Sequence, residues 1–331
     1  MDKKLKYYFK KHLSEMKIQY FLRYAIKKPL KVNYPFRLEN IELTNKCPMK
    51  CIMCIRTYKM TRPQGFMDIG VFKKIIDELS KLDPPFIHEP GFWLHDLGES
   101  LLHPEFDKMI GYCYEKGVKA GLAVNPLVMG DDIARRLIDA KPNLLFFSLD
   151  GHDDQSFYKI RGVPNAYSKS KENVLNFLKI KKEVGSKIKT VVSMVDFPGN
   201  RESIDKMRDY WEKLEGVDRF FLKPFTEWNG EVEEIKGLVF ENGKSNDVVA
   251  IEENKSGHVK CWTPWLHMSV TWDGYVVPCC YDYDKKYVLG NVKDSNLIEI
   301  WNGEKIQQLR KEFLSGNVEN PLCKKCRALP K

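Results

Sequence analysis

Between residues 37 and 225, short runs of β-branched and aromatic residues alternate with amphipathic helical stretches, and this alternation restricts the fold more than any other feature. Candidate strands are 37–44, 92–96, 118–124, 143–149, 187–195 and 217–223. Between the first two, Val71, Phe72, Ile75, Ile76 and Leu79 recur at helical spacing. Six β/α units in succession imply a parallel sheet with right-handed crossovers, either an open doubly wound sheet or a partial barrel. The alternation alone does not choose between them. With 331 residues and 43% hydrophobic content the chain can bury a sizeable core.

The regular alternation stops near residue 226, and Asn242-Gly243-Lys244-Ser245-Asn246-Asp247 reads as a loop. We therefore expect a linker at 226–258 and a small terminal domain at 259–331. In that domain Met268–Val270 and Tyr275–Val277 flank Asp273-Gly274, a hairpin signal, and a helix containing Ile298, Trp301, Ile306 and Leu309 follows. At the other end, residues 1–36 form a basic arm, in which Leu5, Phe9, Leu13, Met16 and Tyr20 keep helical spacing until Pro29. The net charge of +9 is concentrated there, since residues 1–31 carry ten Lys or Arg against only Asp2 and Glu15. Such a helix either covers one end of the main domain or makes weak contact with an anionic membrane surface through residues 1–28. A basic groove for nucleic acid is not expected, because the remaining residues are nearly neutral. No stretch approaches 18 consecutive apolar residues, and no secretory h-region follows the first lysines, so a cytoplasmic protein is expected.

Nine cysteines, an odd number and mostly clustered, suit thiolate ligands in a reducing compartment better than disulfides. Cys47, Cys51 and Cys54 fall within eight residues directly after the first strand. Three thiolates so spaced can wrap an iron-sulfur cube and leave its fourth iron open to a substrate or cofactor. A zinc site with a distant fourth ligand is the alternative that spacing leaves open.

The segment resembles the signature of the radical S-adenosylmethionine (SAM) superfamily, a CxxxCxxC after strand one of a partial β/α barrel. Later segments are also similar to that family. Gly98-Glu99 resembles the motif that holds the SAM amino group, with Ser100 where proline is commoner. Asn125 is similar to the Asn of a turn after strand three, and Ser148-Leu149-Asp150-Gly151 and Tyr158–Gly162 to segments whose Ser and Arg reach SAM. The resemblance implies a partial (β/α)6 TIM-like barrel, a SAM-binding 4Fe-4S cluster on Cys47, Cys51 and Cys54, and SAM contacts from Met53, Gly98, Glu99, Asn125, Ser148, Asp150 and Arg161. It implies reductive cleavage of SAM to a 5′-deoxyadenosyl radical that abstracts hydrogen from an unactivated carbon, with a low-potential donor such as flavodoxin or ferredoxin. Barrel active sites lie at the C-terminal ends of the strands, where Cys54, Glu99, Asn125 and Ser148 are expected.

Cys261, Cys279, Cys323 and Cys326 resemble the ligand set of a shortened SPASM, or twitch, domain (a β-hairpin plus helix), which implies a second, auxiliary 4Fe-4S cluster; a closed zinc site stays open as the alternative. Cys280 is surplus to four ligands, and adjacent strand residues point to opposite faces. It either faces the barrel mouth as a hydrogen-atom donor or packs inertly. Cys113 reads as a core thiol. For proton transfer the candidates are His95, His103 and Glu227, the last in a substrate wall with Lys223, Trp228 and Asn229; Trp262, Trp265 and Trp272 read as packing around the auxiliary cysteines.

The function expected is oxidation of a carbinol to a ketone on a small polyhydroxylated substrate, a sugar, nucleotide sugar or aminocyclitol, with the auxiliary cluster as electron acceptor. The short stretch before strand one favours such a substrate over a peptide. Epimerisation through Cys280, peptide or protein modification, and a non-catalytic iron-sulfur electron carrier are the alternatives.

Overall fold

The computed structural model describes residues 29–32, 37–82, 91–226, 228, 231–238, 261, 263–324 and 326. The basic arm through residue 28, Glu227, Asn229 and Trp262 lie outside the described residues, as does most of the expected linker. Six strands form the parallel part of the sheet: β1 Arg37–Ile41, β2 Phe92–Trp93, β3 Ala120–Val124, β4 Leu144–Ser148, β5 Lys189–Asp196 and β6 Arg219–Pro224. They pair in sequence order, β6-β5-β4-β3-β2-β1, so each crossover lands beside the strand before it. This is the partial TIM-like barrel of the sequence reading, not the doubly wound sheet, whose strand order reverses at a switch point.

Helices α1 Ile55–Tyr58, α2 Ile69–Leu79, α3 Phe106–Glu115, α4 Asp131–Ala140, α5 Asp154–Arg161, α6 Tyr167–Glu183 and α7 Arg201–Trp211 occupy the crossovers. In α2, Phe72, Ile75, Ile76 and Leu79 are buried, and Asp68 caps the start by accepting from Gly70 N (2.8 Å) and Val71 N (3.0 Å). Asp153 and Ser156 form a capping box at the start of α5, and Gly162 ends it in the left-handed region at φ 73°. A Cβ at Gly162 would crowd the Lys50 carbonyl, so the end of α5 can press against the cysteine loop only with glycine there.

Strand β2 is shorter than the expected 92–96, and side chains end it. Leu94 N still donates to Gly121 O (2.8 Å), but Ala123 N then donates to His95 Nδ1 (3.1 Å), and Leu94 O accepts from the Ser100 hydroxyl. A proline at position 100 could not make that bond.

The terminal hairpin, β7 His267–Val270 and β8 Tyr275–Val277, is joined to the barrel in a way the sequence reading did not expect. β7 pairs in parallel with β1, Leu38 opposite Met268 and Ile41 opposite Val270, and β9 Gly290–Asn291 completes a continuous nine-stranded sheet. The β1 edge, otherwise a row of unpaired backbone groups, is thereby covered. Between β7 and β8 the chain turns through Thr271–Gly274, with Gly274 at φ 89°.

The single helix expected over Ile298–Leu309 is instead two. α9 Leu297–Trp301 stops where the Asn302 side chain accepts from Val32 N (2.7 Å) and donates to Val32 O (3.1 Å), and α10 Glu304–Ser315 starts after Gly303. As a result Ile300 is buried and Ile298 is exposed. Between α8 Thr263–Leu266 and the segment at Pro29–Leu30, Arg310 donates to Pro264 O (2.8 Å) and Leu30 O (2.7 Å), and Trp265 Nε1 donates to Pro29 O (2.9 Å).

Candidate active site at the carboxyl ends of the strands

A cavity of ≈ 360 Å³ opens at the C-terminal ends of β1 to β6. A larger one, ≈ 740 Å³, lies at the opposite end around Lys141–Asn143 and Val184–Ile188, and its lining holds no cysteine or histidine.

The cysteine loop leaves β1 and is fixed by α5: Lys50 N donates to Arg161 O (3.1 Å) and Ile52 N to Ile160 O (2.9 Å). Cys47, Cys51 and Cys54 all line the cavity. Burial pushes the Cys47 thiol up to about 12, with Glu99 adding to it, and burial pushes Cys54 up to about 11, with Cys51 adding to it. Against this, the backbone N–H groups of Met49 and Arg56 favour the Cys47 and Cys54 thiolates, and Arg161 Nη1 donates to Cys51 Sγ at 3.5 Å. Buried thiols that carry such donors suit a group that ionises them on binding, as metals do.

Glu99 is 3% exposed and is fixed by two backbone donors, Leu101 N to Oε1 (3.0 Å) and Asn125 N to Oε2 (2.6 Å). Burial outweighs those bonds and pushes its carboxyl up to about 7. A cation bound there would restore the charged form. Asn125 accepts from Leu127 N (3.2 Å) and leaves its buried Nδ2 without a partner, and the Arg161 Nε is likewise orphaned. An ammonium for Glu99, an acceptor for Asn125 Nδ2 and a carboxylate for Arg161 are what an amino-acid-like ligand carries, so the residues present fit SAM. Met53 lines the same cavity, and its carbonyl is held by Trp228 Nε1 at 2.9 Å.

Two of the expected SAM contacts have structural work to do first. Gly98 sits where its backbone meets that of β1, and a Cβ there would overlap the Thr44 carbonyl. Gly98→Ala is accordingly expected to cost about 1–3 kcal/mol and to weaken SAM binding by displacing Glu99; urea titration and equilibrium dialysis with labelled SAM check both, and unchanged values contradict the packing argument. Asp150 is fully buried and absent from the cavity lining. It accepts from Val195 N (2.6 Å) and pairs with Arg161, so it stands behind the arginine as a positioning residue and not as a SAM contact. Burial works against the Arg161 charge, but Asp150 and Cys51 hold its pKa above the ordinary range.

His95, expected as a base, is not suited to that role. Its Nδ1 accepts from Ala123 N, and burial, helped by Lys223, pushes the ring down to about 3, which leaves a neutral imidazole with its proton on Nε2. His103 lies off the cavity lining, Nε2 against Met67 O (2.8 Å) and Nδ1 accepting from Glu105 N (3.1 Å). Glu227 is outside the described residues. Lys223, named from the sequence only as a wall, proves to be a half-buried cavity-lining amine 3.4 Å from Ser148 Oγ. An isolated lysine at a strand end gives no signal that it is enclosed.

The second thiol set gathers beside β1. Burial raises Cys279, and Cys280, Cys261 and Cys323 add to it; burial raises Cys323, and Cys261 and Cys326 add to it. These five cysteines are therefore neighbours. Among the described residues no three His, Cys, Asp or Glu side chains close on one point where a single ion would sit. Burial, then the charges of Asp96 and Glu39, push the Cys280 thiol up to about 12. It is not among the described residues that line the cavity, although Asp96 is. Cys113 is a buried thiol on α3, as expected.

With this geometry in view, similarity to known proteins is informative. The pattern of the radical SAM superfamily matches residues 41–210, just over half of the chain, and that of the SPASM iron-sulfur cluster-binding domain matches residues 261–327. A tungsten-containing aldehyde ferredoxin oxidoreductase cofactor-modifying protein from Pyrococcus furiosus is 24% identical over 319 residues, covering 86% of each chain. An S-adenosyl-L-methionine-dependent 2-deoxy-scyllo-inosamine dehydrogenase from Niallia circulans is 21% identical over 294 residues, covering 88% of this chain and 92% of that one. Among solved structures, BtrN in complex with AdoMet and 2-DOIA superposes with a TM-score of 0.56 at 16% identity, over 91% of this chain and 95% of that one, a likeness of fold. No helix among the described residues is long and apolar enough to cross a membrane.

Proposed function

Since the chain belongs to the radical SAM superfamily and ends in a SPASM domain, we propose that it is a dehydrogenase that oxidises a carbinol of a small polyhydroxylated molecule, such as a sugar or aminocyclitol, with an auxiliary 4Fe-4S cluster as electron acceptor. SAM and iron-sulfur clusters are the cofactors of such an enzyme. One observation carries the reading: the Cys280 thiol, next in sequence to Cys279, feels the charge of Asp96, which lines the cavity that holds Cys51 and Glu99, while Cys280 itself does not line that cavity. Short reach to a redox centre suits dehydrogenation, whereas epimerisation needs a thiol facing the substrate. The name of the Niallia circulans relative supports the same chemistry.

When bound and reduced, the SAM-binding cluster supplies one electron that cleaves SAM to methionine and a 5′-deoxyadenosyl radical. The chain's part is to hold and to exclude. In this reading Cys47, Cys51 and Cys54 hold the first cluster, Arg161 offsets the charge of the Cys51 thiolate, and Glu99 takes the SAM ammonium. Asn125, Ser148 and Arg161 take its remaining polar groups, and Met53 with Trp228 covers the site against water. Cys261, Cys279, Cys323 and Cys326 hold the second cluster. A low-potential donor such as flavodoxin or ferredoxin is required.

The test begins with metal content. After anaerobic reconstitution, a variant with Cys47, Cys51 and Cys54 all changed to alanine is expected to retain about four irons; zinc without iron would overturn the redox role. Incubation of the wild type with 2-deoxy-scyllo-inosamine and a panel of sugars should then give a product two mass units lighter. In the Cys280→Ser variant that product should form at the wild-type rate. Loss of product together with solvent deuterium on carbon in the wild type would instead favour epimerisation. A second reading, modification of an enzyme cofactor, is favoured by the name of the Pyrococcus furiosus relative, and the same assay with the cofactor of a tungsten-containing oxidoreductase as probe separates the two.

A further inference from the structure

Lys223 stands near the C-terminal end of β6, opposite Val195 of β5, and lines the cavity together with Arg161, His95 and Asn125. Phe146 and Phe221 meet edge to face at 5.7 Å beneath it, and its Nζ lies 5.5 Å over the Phe146 ring. This apolar floor gives the amine no water from below. Its hydrogen-bond partner is the Ser148 hydroxyl at 3.4 Å, and among the described residues no carboxylate lies within ion-pair distance.

The charged and titratable groups that face Lys223 are Arg161 from α5, His95 from beyond β2 and Asp150 from beyond β4. Arg161 and Asp150 already pair with one another, and His95 is a neutral ring. Burial, then the Arg161 charge, pushes the Lys223 ammonium down to about 8, with Asp150 acting the other way. A neutral amine is thus accessible near neutral pH.

We infer that Lys223 is the proton acceptor for the substrate hydroxyl, an inference that rests on the carbinol oxidation proposed above. The other described groups on the cavity wall are committed. His95 offers only an N–H, Glu99 is fixed by two backbone donors and reserved for an ammonium, and Asp96 accepts from Asn40 Nδ2 (3.4 Å), with burial and Glu42 raising its carboxyl above the ordinary range. The 5′-deoxyadenosyl radical takes the carbinol hydrogen, giving 5′-deoxyadenosine and a carbon radical that still bears its O–H. That O–H breaks as a new N–H forms on Lys223, leaving an ammonium. The remaining electron passes to the oxidised auxiliary cluster, reducing it by one, and the C=O is complete.

The first measurement needs no substrate. Reductive methylation of the reconstituted enzyme with carbon-13 formaldehyde, with and without SAM, should give one dimethyl-lysine resonance that titrates near 8, absent from Lys223→Arg; titration in the ordinary lysine range, about 10.4, overturns the inference. The second follows ketone formed per 5′-deoxyadenosine released, with 2-deoxy-scyllo-inosamine and the sugar panel as probes. Arginine keeps the charge but cannot accept a proton, so Lys223→Arg should lower that ratio at least about 100-fold. Lys223→Ala should lower it equally and recover part of it with added methylamine. A ratio undiminished in Lys223→Arg overturns the lysine alone. Absence of ketone from the wild type with every probe is a failure of the oxidation reading and takes the inference with it. Thermal melting and iron content of each variant separate a lost base from a lost fold.

Discussion

Cys51→Ala is expected to abolish 5′-deoxyadenosine formation while the auxiliary cluster is retained. Cys51 is the most enclosed of the three barrel thiols, 7% exposed, and the Arg161 guanidinium points Nη1 at its sulfur from 3.5 Å. The residues on either side of it are tied down, Lys50 N and Ile52 N donating to the last carbonyls of α5. Removing the thiol takes away one of three ligands and strands the buried Arg161 charge opposite Asp150 alone. Two remaining thiolates do not hold a cube. The check is anaerobic iron analysis beside chromatographic detection of 5′-deoxyadenosine after dithionite reduction with SAM. About four irons and no nucleoside is the expected pair of results. Nucleoside formed at the wild-type rate would end the assignment of the first cluster to this loop.

The second large effect is on stability. Glu42, fully buried just beyond β1, receives both ends of the Arg62 guanidinium, at 2.7 Å and 2.5 Å, and also accepts from Trp272 N at 3.2 Å. Arg62 Nε donates to Tyr283 O at 2.6 Å, and Thr61 beside it binds Asp284 through N and Oγ1, both at 2.8 Å. This cluster ties the segment after the first cysteine loop to the segment after the auxiliary Cys279. Arg62→Ala leaves the Glu42 charge buried and uncompensated, for which the expected loss is about 3–5 kcal/mol. Replacing both partners, Glu42→Gln with Arg62→Met, removes the stranded charge and should recover a good part of that loss. Urea midpoints of the reconstituted proteins measure both. A loss below about 0.5 kcal/mol for Arg62→Ala would mean that water reaches the Glu42 carboxylate.

Much of this architecture was legible in the residues. The six β/α units gave strands within a few residues of those observed, because a strand buried between helices must be rich in β-branched and aromatic residues whatever its neighbours are. The two groups of cysteines stood out for the same local reason, since residue type and spacing are visible before the chain folds. Where prediction erred, long-range contacts had intervened. The helix expected through Leu309 breaks at Asn302 because its side chain is claimed by Val32, and β2 ends early because His95 and Ser100 take over its ladder bonds. Neither partner is close in sequence or marked by periodicity.

The site divides along the same line. That Cys47, Cys51, Cys54, Glu99, Asn125 and Ser148 each follow or end a strand, and so fall at one end of the sheet, is a matter of residue order, and the sequence by itself determined it. Whether a group acts depends on burial and on neighbours brought from far along the chain. Only the tertiary structure placed Asp150 behind Arg161, turned His95 into a neutral donor, kept Cys280 off the cavity lining, set the hairpin on the β1 edge and left Lys223 over an apolar floor. Proton affinity and reach are set by desolvation and by charges within a few ångströms, and those distances exist only after the chain has folded.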